Sequence, residues 1–211
     1  MVVFNAAVLT LLLWDEANPP NYPGTEDPIE RCKERMELLV RTLHESRETI
    51  VIPTPALSEV LVASGRDGLR YVQVLERAAV FRIQAFDTLA AIELAEINRT
   101  AIDRGDIREG EQAPWQQIKI DRQIVAIAKV TGSHTIYTDD RKLRGFAQRA
   151  GINVVRTHEL PLPPEPEDSR QLDWVKQFET QSEPSEDDEE INLAAELEQD
   201  DETEDSDPEK D

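Results

Sequence analysis

Four oxygen-bearing side chains lie at points where a parallel α/β sheet would bring them to one edge. Asn5 ends the first apolar run, Glu59 lies one turn into a predicted helix, Asp121 begins another helical stretch, and Asp140 follows a later apolar run. Carboxylate and amide oxygens are the ligands that Mg²⁺ and Mn²⁺ prefer in proteins. The pattern therefore predicts a divalent-cation site, with Mg²⁺ or Mn²⁺ as its cofactor, formed by Asn5, Glu59, Asp121 and Asp140.

Each of these acids also has a simpler interpretation. An acid in the first turn of a helix is stabilised by the helix dipole, and this alone would account for Asp121. Asp139 and Asp140 precede a helical segment and are typical of helix caps. Glu59 and Asp121, however, have apolar neighbours at helical spacing, where an acid is costly unless it is paired or binds a metal. The site prediction therefore rests on the recurrence of acids at strand ends.

Short apolar runs alternate with amphipathic segments along the chain, and they predict the elements that position these residues. Strands are predicted at 2–4, 49–52, 80–83, 134–137 and 152–155. Helices are predicted at 7–14, 29–46, 57–63, 69–78, 88–104, 118–130 and 141–150, with Thr54 and Asp87 as caps. This alternation predicts an α/β fold with a mainly parallel five-stranded sheet that is covered on both faces. Ligands bind such sheets outside the carboxyl ends of the strands.

Charge divides the chain into two parts. Residues 163–211 contain 21 acidic and three basic side chains, whereas residues 1–162 contain 23 and 20. Low hydropathy with a high like charge predicts a disordered acidic tail at 163–211, following a single domain at 1–162. Cys32 is the only cysteine, so a disulfide framework and a thiolate zinc site are excluded. The apolar start lacks a basic leader and is too short to span a bilayer, so we expect a cytoplasmic protein without a membrane partner.

The motifs and their order are similar to those of the PIN-domain family of metal-dependent ribonucleases, which includes the VapC toxins of bacterial toxin–antitoxin pairs. The segments that carry the resemblance are 2–9, 54–61, 85–91, 121–128 and 138–143, within about residues 1–158. The resemblance implies a PIN-like three-layer α/β/α fold and makes Glu59, Asp121 and Asp140 metal ligands. It also makes Thr138 the polar partner of Asp140, with Asp139 able to substitute. The family has Asp where this chain has Asn5.

The function implied by this resemblance is metal-dependent endoribonuclease activity, in which Mg²⁺ or Mn²⁺ generates hydroxide and stabilises charge on the phosphodiester. The candidate catalytic residues are then Asn5, Glu59, Asp121, Thr138, Asp139 and Asp140. The basic residues predicted to bind RNA phosphates are Arg122, Arg141 and Lys142, whereas Arg144 fits a solvated helix face at least as well. Trp115, in a predicted loop, could stack on a base, although packing on the body is the favoured interpretation. An antitoxin-like protein and a homodimer are the implied protein partners.

Other functional classes remain open at this stage. Because an amide brings no charge to a cation, Asn5 also fits a catalytically silent PIN-like module that binds RNA or protein. A phosphoacceptor receiver domain is disfavoured, since the first strand ends in Asn5 and both Glu59 and Asp121 lie within helices. The tail, with a net charge of −18, could compete with RNA for the basic residues as a tethered inhibitor. A solvating or partner-binding tail is the favoured alternative.

Overall fold

Five strands form one fully parallel sheet, in a computed structural model that describes residues 1–164. The strands are β1 (Val2–Phe4), β2 (Ile50–Pro53), β3 (Phe81–Gln84), β4 (Thr135–Tyr137) and β5 (Asn153–Val155). The helices are α1 (Ala6–Leu13), α2 (Cys32–Glu45), α3 (Thr54–Ser64), α4 (Gly68–Arg77), α5 (Thr88–Asp103), α6 (Trp115–Val130) and α7 (Arg141–Arg149). The strand order is β3-β2-β1-β4-β5, so the first strand lies at the centre of the sheet.

Helices cover the two faces of this sheet because the strand order reverses direction at β1 and crossovers between parallel strands are right-handed as a rule. Helices α1 to α4 connect strands on one side of β1, and α5 to α7 connect strands in the opposite direction and pack on the other face. The central strands are buried from both sides, which explains why their sequences are continuously apolar rather than alternating. The predicted α/β class and parallel five-stranded sheet are confirmed. The fully buried strand residues include Val3, Phe4, Ile50, Val51, Ile52 and Ile136.

Two helix starts differ from the sequence prediction, and the second concerns the site. Helix α2 begins at Cys32 instead of residue 29, because Arg31 takes a left-handed conformation (φ 53°) that a continuing helix does not allow. Helix α6 begins at Trp115, directly after Pro114, so Trp115 is helical and does not lie in a loop. Asp121 therefore lies in the second turn of α6, where the helix-dipole interpretation no longer applies.

The two predicted caps have different outcomes. Asp87 caps α5 as predicted, since its carboxylate accepts a hydrogen bond from the backbone N–H of Ala90 at 3.0 Å. Thr54 is already helical, and the non-helical residue before α3 is Pro53. The Thr54 hydroxyl instead accepts a hydrogen bond from the backbone N–H of Phe86 at 3.1 Å. This bond joins the segments that follow the neighbouring strands β2 and β3.

The predicted acidic tail lies outside the described residues, apart from Pro163 and Pro164. The boundary at 162/163 therefore stays a prediction. The carbonyl oxygen of Pro163 accepts a hydrogen bond from Arg31 at 3.2 Å. Within residues 1–164, every helix is too short or too polar to cross a membrane.

Candidate active site

Asp121 is the most unusual side chain at the carboxyl edge of the sheet. Helix α6 presents its apolar positions to the core, including Ile118, Ile124 and Val125, and Asp121 faces inward beside them with 7% of its surface exposed. Its Oδ2 atom is buried and has no hydrogen-bond partner within residues 1–164. Burial of an ionised carboxylate without a partner is costly, so this position is difficult to explain by stability alone.

The electrostatic surroundings of Asp121 favour its protonated form. Burial, followed by the negative charges of Asp140, Glu59 and Glu111, raises the pKa of Asp121 from 3.8 to about 7. The ammonium of Lys142 acts in the opposite direction and lowers this pKa. Carboxyl groups from α3, α6 and the β4–α7 junction therefore share one local environment. Such a group of mutually repelling acids is typical of a site that receives a cation.

Asn5 and Thr138 follow the paired strands β1 and β4, where the parallel register places Phe4 beside Tyr137. Continuing this register brings the next two side chains together, and Asn5 Nδ2 donates a hydrogen bond to Thr138 Oγ1 at 2.7 Å. Asn5 Oδ1 accepts a bond from the backbone N–H of Val8 at 3.1 Å and so caps α1. The cap fixes the amide orientation, because only the oxygen can accept from Val8. Both the nitrogen and the oxygen of the Asn5 side-chain amide are thus hydrogen-bonded within the protein.

Asp140 caps α7, as its simpler interpretation predicted. Its Oδ1 accepts hydrogen bonds from the backbone N–H groups of Lys142 at 2.7 Å and Leu143 at 3.0 Å. The backbone N–H of Asp140 donates to Thr138 Oγ1 at 3.0 Å, so Thr138 holds the start of this cap. The buried hydroxyl of Thr138 thereby joins Asn5 to the Asp140 backbone, in agreement with its predicted role as a polar partner.

Glu59 lies on α3 at the border between the core and the surface. Ala56 and Val60 are buried, but Val62 is 85% exposed, so only some of the apolar neighbours of Glu59 face the core. The residue as a whole is exposed. Partial burial of its carboxyl group, followed by the charge of Asp140, nevertheless raises the pKa of Glu59. The carboxyl end of Glu59 therefore belongs to the same electrostatic group as Asp121.

Asp139 does not join this group. Its Oδ1 accepts a hydrogen bond from the backbone N–H of Thr157 at 3.1 Å, and its Oδ2 accepts a bond from the Thr157 hydroxyl. Arg156 Nε lies 3.9 Å from the same carboxylate. Asp139 thus attaches the segment after β5 to the end of β4. In this arrangement it cannot substitute for Asp140, which corrects the expectation drawn from the resemblance.

Arg122 is a structural residue, and the prediction that it contacts RNA is wrong. Its side chain is 0% exposed. The guanidinium donates to Asn98 Oδ1 at 2.7 Å, to the carbonyl oxygen of Ile107 at 2.6 Å and to Glu109 Oε2 at 3.0 Å. It also lies 5.1 Å from the ring centroid of Phe146. Arg122 therefore holds the loop before α6 against α5 and α7, out of reach of any nucleic acid.

Trp115 packs on the body, as the favoured interpretation predicted. The ring lies against the hydrophobic core and is only partly exposed. The ammonium of Lys119 lies 5.7 Å from its centroid, and the Arg122 guanidinium lies 5.9 Å away. The ring is therefore surrounded by protein cations, and its contacts are explained without a stacked base.

Two of the predicted basic contacts remain at the rim of the site. Arg141 is 77% exposed and lies 3.8 Å from Glu111, whereas Lys142 is partly buried and donates to Gln117 Oε1 at 2.8 Å. Sequence reasoning missed Glu111 and Gln117. Gln117 lies one helical turn before Asp121, but the predicted helix began at residue 118 and so did not include it. Glu111 lies in an irregular loop and had no periodic signal.

The carboxyl groups of Glu59, Asp121 and Asp140 have the chemistry of a divalent-cation site but not its geometry. Their chemistry suits a divalent cation, because the three acids share one environment and Asp121 has a buried oxygen without a partner within residues 1–164. Their positions do not, since no group of three or more His, Cys, Asp or Glu side chains within residues 1–164 is arranged so that it could hold a metal ion. Metal binding therefore requires rearrangement of side chains around Asp121.

The solved structures that match this chain include chains of two VapBC complexes. One is VapBC2 from Rickettsia felis bound to a DNA fragment from its promoter, with 13% identity over 74% of this chain and 98% of that chain and a TM-score of 0.47. The other is DNA-bound VapBC from Salmonella typhimurium, with 17% identity over 74% of this chain and 97% of that chain and a TM-score of 0.43. No protein-family model matches the sequence, and neither does any curated protein.

Proposed function

We propose that this chain is a metal-dependent endoribonuclease of the PIN/VapC type, which hydrolyses RNA phosphodiester bonds. The observation that carries the proposal is the buried Oδ2 of Asp121, which has no hydrogen-bond partner within residues 1–164 and lies at the carboxyl edge of a parallel sheet. Burial, followed by the charges of Asp140 and Glu59, raises the pKa of this carboxyl group. Ligands of parallel α/β sheets bind at this edge. The resemblance of the sequence motifs to PIN domains supports the same function.

The residues have distinct roles in this proposal. Asp121, Asp140 and Glu59 would hold Mg²⁺ or Mn²⁺, which when bound supplies a water of lowered pKa and stabilises charge on the phosphodiester. Thr138 and Asn5 act as positioning residues, because their hydrogen bonds fix the backbone that carries Asp140. Asn5 brings no charge, and we expect this to weaken metal affinity by about tenfold or more.

A cleavage assay tests the proposal. Purified protein is incubated with fluorescent RNA and Mn²⁺, Mg²⁺ or EDTA. We expect weak cleavage that needs metal, is lost in Asp121→Asn and increases in Asn5→Asp. The control is Asp103→Asn, which removes an exposed acid at the end of α5 and should leave cleavage unchanged. Equal cleavage in EDTA, or full cleavage by Asp121→Asn, would refute the metal mechanism.

A second candidate is a catalytically silent PIN-like module that binds RNA or protein. It is favoured by the double engagement of the Asn5 amide, with Val8 and Thr138. In the same assay, this function predicts no cleavage by either the wild type or Asn5→Asp. RNA retention in a gel-shift experiment, unchanged by EDTA, would then support the silent module.

The proposed partners are RNA, an antitoxin-like protein and a second copy of the chain, and the proposed location is the cytoplasm. The proposed partners rest on the resemblance of the motifs alone. Light scattering after size-exclusion chromatography distinguishes a monomer from a homodimer. Co-expression with the product of an adjacent small reading frame, followed by co-purification, tests for the antitoxin-like partner.

A further inference from the structure

Lys142 connects α7, which Asp140 caps, to α6, which carries the buried Asp121. Its backbone N–H donates to Asp140 Oδ1 at 2.7 Å, which fixes the residue in the first turn of α7. Its ammonium reaches α6 and donates to Gln117 Oε1 at 2.8 Å. Gln117 lies four residues before Asp121 on α6, so both side chains are on the same side of that helix. The Lys142 side chain therefore extends from the first turn of α7 to the turn of α6 that precedes Asp121.

Arg141 is adjacent to Lys142 in the sequence, but its side chain makes different contacts. Arg141 is 77% exposed, and its closest described acid is Glu111 at 3.8 Å. Lys142 is partly buried, and its charge opposes the rise in the pKa of Asp121. Of these two adjacent positive charges, the one on Lys142 acts on Asp121, whereas the one on Arg141 lies nearest to Glu111.

We propose that the Lys142 ammonium, held by Gln117 one helical turn before Asp121, competes with a divalent metal ion for the charge of the acidic group. The inference rests on the proposed function, because it takes this acidic group as the metal site. It accounts for the mismatch between a donor set suited to a cation and side-chain positions, within residues 1–164, that do not form a metal cage. Metal entry would then require that Lys142 leaves Gln117.

Electrostatics sets the direction of the effect. An ammonium and a divalent cation that share one partly buried group of acids repel each other strongly at side-chain distances, and solvent screens this repulsion only in part. Removal of the Lys142 charge should therefore tighten Mn²⁺ binding by about tenfold or more. Removal of the exposed Arg141 charge should tighten it by less than about threefold, because exposed charges are well screened.

The experiment measures Mn²⁺ binding to the full chain by electron paramagnetic resonance, in which free and bound Mn²⁺ are distinguished directly. Each affinity is compared with that of the same variant carrying Asp121→Asn, so that weak binding by other acids cancels. The matched pair is Lys142→Met and Arg141→Met, which each remove one positive charge from adjacent positions. Lys142→Gln keeps a donor for Gln117 without the charge and replaces Lys142→Met if that variant fails to fold.

The possible outcomes separate this inference from the proposed function. Tighter Asp121-dependent binding in Lys142→Met or Lys142→Gln, but not in Arg141→Met, supports it. Equal affinity in the wild type and both Lys142 variants, with binding still dependent on Asp121, overturns the competition and leaves the metal site intact. Mn²⁺ binding that does not depend on Asp121 in any variant overturns the metal site and this inference together. Gln117→Ala should give an intermediate gain, since it frees the ammonium without removing it.

Discussion

Replacement of Asp121 by Asn should stabilise the metal-free fold more at alkaline than at acidic pH. Burial and neighbouring acids raise the pKa of Asp121 from 3.8 to about 7 in the folded protein. Between these two values the unfolded chain has released its proton while the folded chain retains it. The stability that this carboxyl provides is therefore complete below its ordinary pKa and is lost as the pH rises through about 7.

The size of this effect follows from the shift in pKa. The rise in the pKa of Asp121 from 3.8 to about 7 corresponds to about 4 kcal/mol of destabilisation by pH 8, and to about 2 kcal/mol at pH 5. Asn stays neutral and avoids this loss. Its amide would be buried without a partner, at a cost of about 1–3 kcal/mol, but that cost is the same at both pH values. The difference between wild type and Asp121→Asn should thus change by about 2 kcal/mol in favour of Asn from pH 5 to pH 8.

Urea unfolding in EDTA, followed by tryptophan fluorescence at pH 5 and pH 8, measures this difference. The control is Asp103→Asn, which makes the same substitution at an exposed acid at the end of α5. A difference between Asp121→Asn and wild type that does not change with pH would refute the reasoning. It would mean that the Asp121 carboxylate is solvated or paired in the folded protein.

Two further substitutions test the structural residues around the site. Thr138→Val removes the acceptor shared by Asn5 and the Asp140 backbone, so we expect a loss of about 1–3 kcal/mol in urea unfolding and a much smaller loss in Thr138→Ser. An unchanged stability in Thr138→Val would contradict the shared hydrogen bonds. Arg122→Met leaves the oxygens of Asn98 and Ile107 without their donor, while Glu109 keeps Arg149 at 3.2 Å. We expect a cost of about 1–3 kcal/mol of stability, while the salt dependence of RNA binding stays the same. A smaller salt dependence would show that Arg122 does reach phosphate.

The sequence was sufficient to predict the sheet, because its signals are local. Strands buried on both faces have continuous apolar runs, and the helices between them have apolar positions at helical spacing. The same signals located Asp121 and Asp140, since each lies next to a well-defined element. Asp140 was a cap and a candidate ligand at once, and the structure places it as the cap of α7 within the acidic group.

The direction of individual side chains was not predictable, because it depends on one or two residues of backbone. Asp139 and Asp140 are adjacent, yet the first binds Thr157 and the second caps α7. Asp121 and Arg122 are also adjacent, but a helix turns about 100° per residue, so they face different neighbours. The role of Arg122 depended on the loop before α6, where no periodic signal exists. Lys142 could be placed near the site, but its bond to Gln117 depended on where α6 begins.

The Thr138 hydroxyl makes position 5 tolerant of a change in charge. An alcohol oxygen has two lone pairs and one proton, so it accepts from the Asn5 amide and the Asp140 backbone at present. If a carboxylate replaced that amide, rotation of the O–H bond would turn the first contact into a donated bond, and the second would persist. The carboxylate could cap α1 equally well. Ancestral or engineered exchange between amide and acid at this position would therefore need no compensating mutation in the neighbouring strand.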